Sequence, residues 1–394
     1  MPVRKAHIFG CAKLSVPFAI VDPMTTDDAP EAAPLPNRFA VYSDREYAAT
    51  ALSVAASTDI AVIIRDRSDA PQIQAALGDH RQATVLVDPG RWRREFATPQ
   101  RVMDLPAAGL TTMGLREWAE SHRAASTVDG VFAPSLFVRA GEWESLRALR
   151  EALAPAVGPD NSMIGLIATD ASMLGTSMIS RFLDELAPLR GSQLGFVFAG
   201  GREALADRHR LAGLRALFDQ HPGAHLLGVD ALIASDALCV DAGIVAVGIR
   251  SGMRWPARPG TTSNTAFARG YVPGRFHRDL LTYRSPVVYG HWYIDSVPTA
   301  CVVCGNPPDR YVPSEQGTQD IIGHNVHAVA QLCADLLSVP SLDRHQWLSS
   351  VRVEAAESYR DLDQAQIAAP IDRTLVALIR RDRPGWMAPA PVGS

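Results

Sequence analysis

The chain has 394 residues, 47% of them hydrophobic and 20% charged, with a formal net charge of −4. That length accommodates one large barrel with an appendage, or two domains. The slight negative charge excludes a protein that coats nucleic acid over its whole surface, and no run of about 18 apolar residues predicts a membrane span.

Residues 1–14 carry basic side chains but no long apolar core after them, so no secretory leader is expected. Five cysteines are too few for a disulfide framework, and a reducing, cytoplasmic setting is the expectation. Lys5 and Lys13 are the only lysines. A bias of genome composition toward arginine accounts for that as well as phosphate binding does.

Residues 1–40 are rich in Pro and Ala, with one short apolar stretch at 7–9 and a loop at 30–36. Residues 44–56 read as a helix. Then come short apolar runs bounded by charges or turn residues: 59–64, 83–88, 128–134, 162–168, 193–198, 225–230 and 243–248. Most are followed by a helical pattern, and 286–289 supplies an eighth run. Strands apolar on both faces that alternate with helices mean a parallel sheet. Eight such units favour an α/β (β/α)8 TIM-like barrel over a doubly wound sheet, and no GxGxxG opens a helix after the first strand. The division expected is an N-terminal segment 1–57, a barrel 58–295 with a basic insertion 250–285, a zinc subdomain 296–335 and a helical extension 336–394. Helices are expected at 342–358 and 364–379.

Chemistry in such a barrel sits at the C-terminal ends of the strands. Asp66, Asp88, Ser135, Asp170, Gly200, Gly201, Asp230 and Gly248 fall there. Each acid has a plain alternative as a helix N-cap. Trp92, four residues after Asp88 and flanked by Arg91, Arg93 and Arg94, suits stacking on an unstacked base, or equally a buried anchor at a helix start. Between 250 and 284 stand seven arginines (250, 254, 258, 269, 275, 278 and 284) against one acid, Asp279. Trp255, Phe267, Tyr271, Phe276 and Tyr283 are interleaved, and 260–265 is a polar loop. Arginine with aromatics suits phosphates and splayed bases, so Arg250, Arg254, Arg258 and Arg275, with Arg91 and Arg93, are candidate nucleic-acid contacts.

Cys301-Val-Val-Cys304 is followed by His324-Asn-Val-His327. A cysteine pair on a tight turn can hold one side of a tetrahedral metal ion, and two histidines at i and i+3 on a helix start can close the other. Structural Zn2+ is the expected cofactor, with His327 the least secure ligand because Asp295 or Asp309 can take its place. The competing reading is a cysteine pair without a role and histidines that cap a helix.

The stretch Gly195-Phe-Val-Phe-Ala-Gly-Gly201, His225-Leu-Leu-Gly-Val-Asp230 and Ala242-Gly-Ile-Val-Ala-Val-Gly248, then Arg250 and Arg254, resembles the second half of tRNA-guanine transglycosylases. Thr299-Ala-Cys301-Val-Val-Cys304 with His324-Asn325 resembles that family's zinc motif, with Thr299 in place of its first cysteine. Asp88-Pro-Gly-Arg-Trp92 stands where the family has a catalytic Asp loop. The resemblance spans about residues 80–335. It implies a barrel closed by a zinc subdomain and chemistry at a base–sugar bond. The family's nucleophilic aspartate, which forms a covalent sugar intermediate, aligns with Gly248, and its base-reading aspartate aligns near Ser135.

Without that nucleophile, excision is expected over exchange. Cleavage passes through an oxocarbenium-like sugar, which one well-placed carboxylate can stabilise or attack through water. The expectation is a DNA glycosylase acting on a modified base. Asp88 is its principal carboxylate, Asp170 or Asp230 orients water or reads the base, and Trp92, Ser135, Gly200 and Gly201 line the base pocket. Two alternatives stay open: a 7-deazaguanine exchange enzyme on DNA or tRNA, and a catalytically inactive nucleic-acid-binding subunit. A homodimer is compatible with all three.

Overall fold

The computed structural model describes residues 38–58, 60–65, 77–78, 84–108, 111–158, 163–261, 272–364 and 369–388. The expected stretches at 7–9 and 30–36, with Asp66, Phe267, Arg269, Tyr271 and loop positions 262–265, lie outside these.

Eight parallel strands close into a barrel: β1 (Arg38–Asp44), β2 (Ala61–Arg65), β3 (Val85–Asp88), β4 (Gly130–Phe132), β5 (Met163–Asp170), β6 (Leu194–Ala199), β7 (His225–Val229) and β8 (Ile244–Gly248). The order is β1-β8-β7-β6-β5-β4-β3-β2, and the seam pairs Arg38 with Ile244 through Tyr42 with Gly248. Strands β2 to β8 are buried at every position, as the uninterrupted apolar runs require when helices cover one face and side-chain layers fill the other.

Seven of the eight expected strands are present, but the eighth is not where the sequence placed it. Residues 286–289 belong to a helix, Pro286–Trp292, whose N-cap Ser285 accepts from the Val288 N–H. Proline at the first helical position suits that start, because its missing N–H has no intrahelical partner there anyway. The missing strand is β1, so the barrel begins at Arg38 and not at residue 58. Its run Phe39-Ala-Val-Tyr42 is short and lies close to the helix Ala48–Thr58, and its last residue, Asp44, reads equally as the start of that helix.

After β8 the chain makes a short helix, Ser251–Arg254, and a hairpin, Arg275–His277 with Thr282–Arg284. The helix Glu315–Ser338 begins nine residues before His324, so both metal-motif histidines sit within it and not at its start. It packs on the helices Ala48–Thr58 and Ala231–Leu238 and on the hairpin.

The C-terminal extension contains Arg344–Gln364 and Arg373–Asp382. An ionic group built around the buried Asp236 and Arg352 fastens it to the barrel. Asp236 on the helix Ala231–Leu238 accepts from Arg352 at 2.9 Å and from Arg215 at 2.5 and 2.9 Å. Asp382 accepts from Arg215 at 3.0 Å and from Arg352 at 2.8 Å. None of the helices among the described residues is long and apolar enough to cross a membrane.

Candidate functional site

Two groups of side chains stand out: the rim at the C-terminal ends of the strands, and the Cys/His group beyond the hairpin.

At the rim, strand register aligns Asp44 with Arg65 and Arg65 with Asp88. Asp44 pairs with Arg65 at 4.0 Å and closely with Arg250, which also meets Glu46 at 3.4 Å. Asp88 is fully buried. Its Oδ2 accepts from the Tyr42 hydroxyl and from Trp92 Nε1 at 3.1 Å, and its Oδ1 accepts from the Gly90 N–H at 2.8 Å. Trp92 is itself fully buried, so it presents no ring face on which a base can stack. The two residues expected to make an acid and a platform instead hold each other and Tyr42. Tyr42 went unnoticed in the sequence because the strand carrying it did.

Asp170 ends β5. Burial raises its pKa, but the Ser172 backbone and hydroxyl and the Arg258 guanidinium outweigh this and leave it lowered. Arg258, whose side chain is 55% exposed, closes directly on it. Asp230 follows β7 and caps the next helix by accepting the Ile233 N–H at 3.0 Å, while its second oxygen accepts from Trp255 Nε1 at 3.3 Å. Burial lifts its pKa to about 6. It borders a cavity of ≈ 20 Å3 that also touches Glu203, Arg254, Trp255 and Thr374, room for about one water molecule.

The Gly200-Gly201 loop serves packing. Both N–H groups donate to the Pro256 carbonyl at 3.1 Å, and Gly201 has φ +83°, which favours glycine. Ser135 is fully buried, and its hydroxyl meets no partner among the described residues. At Gly248 a Cβ would stand 2.3 Å from Arg254 N and 2.6 Å from Met253 O, so the place where the resemblance puts a nucleophile is closed to any side chain.

The expected arginine patch mostly faces inward. Arg254 is 3% exposed, donates to the Gly248 and Ile249 carbonyls at 3.2 Å, and lies 3.9 Å over the Tyr283 ring. Arg275 is 4% exposed and belongs to the Cys/His group. Neither can reach a phosphate backbone from where it sits. Arg250 is held by Asp44 and Glu46, Arg91 by Asp104 at 3.3 Å, and Arg93 is half-buried beside Trp92. Of these candidates only Arg258 is more than half exposed, and it faces the rim.

The Cys/His group assembles as its spacing suggests. Ligand atoms of Cys301, Cys304, His324 and His327 all lie within 4.8 Å of one another, so His327, and not Asp295 or Asp309, completes the quartet. Cys301 Sγ is 3.4 Å from His327 Nε2 and Cys304 Sγ is 3.3 Å from His324 Nδ1. A tetrahedral ion with ordinary metal–sulfur and metal–nitrogen bonds needs about 3.5 Å between such neighbours. The cysteines are presented by a turn in which the Gly305 N–H donates to the Cys301 carbonyl at 2.8 Å, with Gly305 at φ +66°.

His324 Nε2 donates to the Phe276 carbonyl at 2.8 Å, which fixes its tautomer and makes Nδ1, 3.3 Å from both Cys304 Sγ and Arg275 Nη2, the nitrogen that can ligate. Burial, then the Arg275 charge, lowers the His324 pKa to about 3 and the His327 pKa to about 4, so both rings are neutral, as ligands must be. Arg275 donates to Cys304 Sγ at 3.6 Å, which places a positive charge beside the sulfur. Asn325 clamps the helix to the hairpin, accepting the Phe276 N–H at 2.7 Å and donating to the Gly274 carbonyl at 2.8 Å. These four residues can hold a metal ion.

No protein-family model and no curated protein sequence matches the chain. Among solved structures, it is similar to deoxyribose phosphate aldolase from Aeropyrum pernix, with 12% identity over 54% of this chain and 86% of that one, at a TM-score of 0.35. It is also similar to a mandelate racemase/muconate lactonizing enzyme from Bordetella bronchiseptica RB50, with 15% identity over 54% of this chain and 53% of that one, at 0.30. The carboxyl transferase domain of Rhizobium etli pyruvate carboxylase gives 9% identity over 92% of this chain and 66% of that one, at 0.34. At these scores none of them carries an argument about chemistry.

Proposed function

We propose that the chain is an enzyme that hydrolyses the N-glycosidic bond of a modified base in DNA, a divergent relative of the tRNA-guanine transglycosylases. Gly248 is the observation that carries hydrolysis over exchange: where the resemblance calls for a covalent nucleophile, no side chain fits. Attack then falls to water. Asp230 supports that role, because its pKa of about 6 leaves it a competent base near neutrality and it borders a cavity of one water's size. Its carboxylate takes the water's proton, the oxygen bonds to the anomeric carbon, and the bonding pair leaves with the base. Asp170 stabilises the developing sugar cation once Arg258 turns to a substrate phosphate. Asp88 is a positioning residue in this scheme. Two thiolates and two imidazoles in a closed tetrahedral set suit zinc, which would fasten the Cys301–Gly305 turn and the hairpin to the helix Glu315–Ser338.

A binding subunit without activity is the second reading, favoured by one observation: both oxygens of the buried Asp88 carboxylate already accept from Tyr42, Trp92 and Gly90 within the chain. The deciding experiment incubates the protein with DNA carrying modified bases and looks for free base by mass spectrometry and for abasic sites by an aldehyde probe. Release that disappears in Asp230→Asn supports hydrolysis. Incorporation of labelled 7-deazaguanine without release would replace it with exchange, and binding with neither product would leave the subunit reading.

A further inference from the structure

On the flank of the barrel, away from the rim, a groove of ≈ 610 Å3 is lined by Arg215, His345, Ser349, Arg381, Asp382 and Arg383. The lining comes from the helices Arg208–Gln220, Arg344–Gln364 and Arg373–Asp382 and from the residue after the last. We propose that this groove is an anion site that takes a small phosphate-bearing molecule.

The argument is one of charge. Asp236 and Asp382 are the carboxylates that form ion pairs in this region, and all four of their oxygens already accept from Arg215 and Arg352, while Asp219 acts on Arg381 only through space, without an ion pair among the described residues. Two arginines and two aspartates thus neutralise one another in the buried layer. Arg381 and Arg383 then add two further guanidinium groups to the same groove, and neither has an ion pair among the described residues. Arg383 Nε donates to Ser349 Oγ at 3.0 Å, and Arg381 Nε is buried with no partner among the described residues. Burial, and after it the Arg215 charge, disfavours the Arg381 cation, so the groove holds like charges together at a cost. Arginines in the last turn of a helix complement its dipole, which accounts for Arg380 and Arg381. It does not account for the convergence of Arg381 and Arg383 with Arg215 and His345 from two other helices. A tetrahedral anion offers each guanidinium paired acceptors and removes the repulsion. The groove is open to solvent, and its volume in the range of ligand pockets suits a compact phosphorylated molecule.

The test uses the full chain and inorganic pyrophosphate at constant ionic strength, with chloride and sulfate as controls. Isothermal titration should give one saturable site, and Arg381→Gln/Arg383→Gln should weaken it at least tenfold. Neither of these arginines has an ion pair to Asp236 or Asp382 among the described residues, so the Arg215–Asp236–Arg352–Asp382 group stays intact and the variant should remain folded without ligand. In case it does not, hydrogen exchange on the wild type gives an independent reading: pyrophosphate should protect residues 344–349 and 380–383. Absence of saturable binding, equal affinity in the variant, or protection only elsewhere would overturn the site. Displacement of pyrophosphate by a short DNA duplex at stoichiometric concentration would overturn the small-molecule source and assign the groove to nucleic-acid phosphate.

Discussion

Gly248 lies so close to Arg254 that a Cβ built on it would stand 2.3 Å from the arginine's backbone nitrogen. Arg254 in turn donates back to the Gly248 carbonyl at 3.2 Å. The short helix after β8 is folded down onto the strand end and occupies the space a side chain would need. Gly248→Ala should therefore destabilise the protein by about 3 kcal/mol, the cost of overpacking against backbone that cannot move cheaply. Urea unfolding checks this. A loss under 0.5 kcal/mol, which is about the scatter of surface substitutions, would mean that the helix lifts readily and that the position is open after all.

Purified protein should carry one equivalent of zinc. Cys304→Ser should lose it and melt lower or fail to fold, because binding energy at such a site is folding energy. A chelator should lower the melting temperature of the wild type and leave any soluble Cys304→Ser protein unchanged. Metal analysis finding less than half an equivalent in well-folded wild type would reject the assignment.

Asp230 makes a prediction with a sign. Its folded pKa of about 6 lies above its unfolded value of 3.8, so the folded state holds the proton more tightly. Stability should therefore fall as pH rises from about 4 to about 6 and then level off, by up to ~3 kcal/mol. Asp230→Asn should remove that slope. If Asp230 is the base, turnover should rise with pH through about 6, and the variant should lose roughly 10²- to 10⁴-fold. A rate profile flat between pH 5 and 8 would exclude it from the chemistry.

Asp88→Asn separates positioning from catalysis. The amide keeps one acceptor oxygen for three donors, so at least one of Tyr42, Trp92 and Gly90 loses its partner. A loss of about 1–3 kcal/mol is expected, with base release slowed far less than by Asp230→Asn. The reverse ranking in activity would return the principal role to Asp88.

Arg352→Ala should cost about 3–5 kcal/mol, as expected when one partner of a buried ionic group is removed. Asp236 adds a pH signature. Burial raises its pKa, but Arg352 and Arg215 outweigh that and hold it at about 2, below the unfolded 3.8. Its stabilising contribution is thus complete above pH 4 and lost as pH falls toward 2. Acid titration of the melting temperature should show this loss in the wild type and a smaller one in Arg352→Ala.

The sequence by itself determined the barrel class and the Cys/His motif, and left the fourth ligand open between His327 and Asp295 or Asp309. Strands buried on both faces leave uninterrupted apolar runs, and helices between them force parallel pairing, so seven of eight strands were legible from local pattern alone. Cys301, Cys304, His324 and His327 were legible because tetrahedral ligation demands short spacings that survive as a motif. Tertiary structure alone decided the rest. Only the closure of the sheet shows that Arg38–Asp44 and not 286–289 completes the barrel, because a short apolar run reads alike as strand or buried helix until its partner is known. Only packing shows that Trp92, Arg254 and Arg275 point inward, since an aromatic or arginine in a loop carries no mark of which way it faces. The Asp236–Arg352 contact joins residues 116 positions apart, and Asp230's raised pKa comes from burial that no neighbouring residue in the chain announces. Charge and solvation depend on what surrounds a group in three dimensions, and a linear pattern records only its neighbours in one.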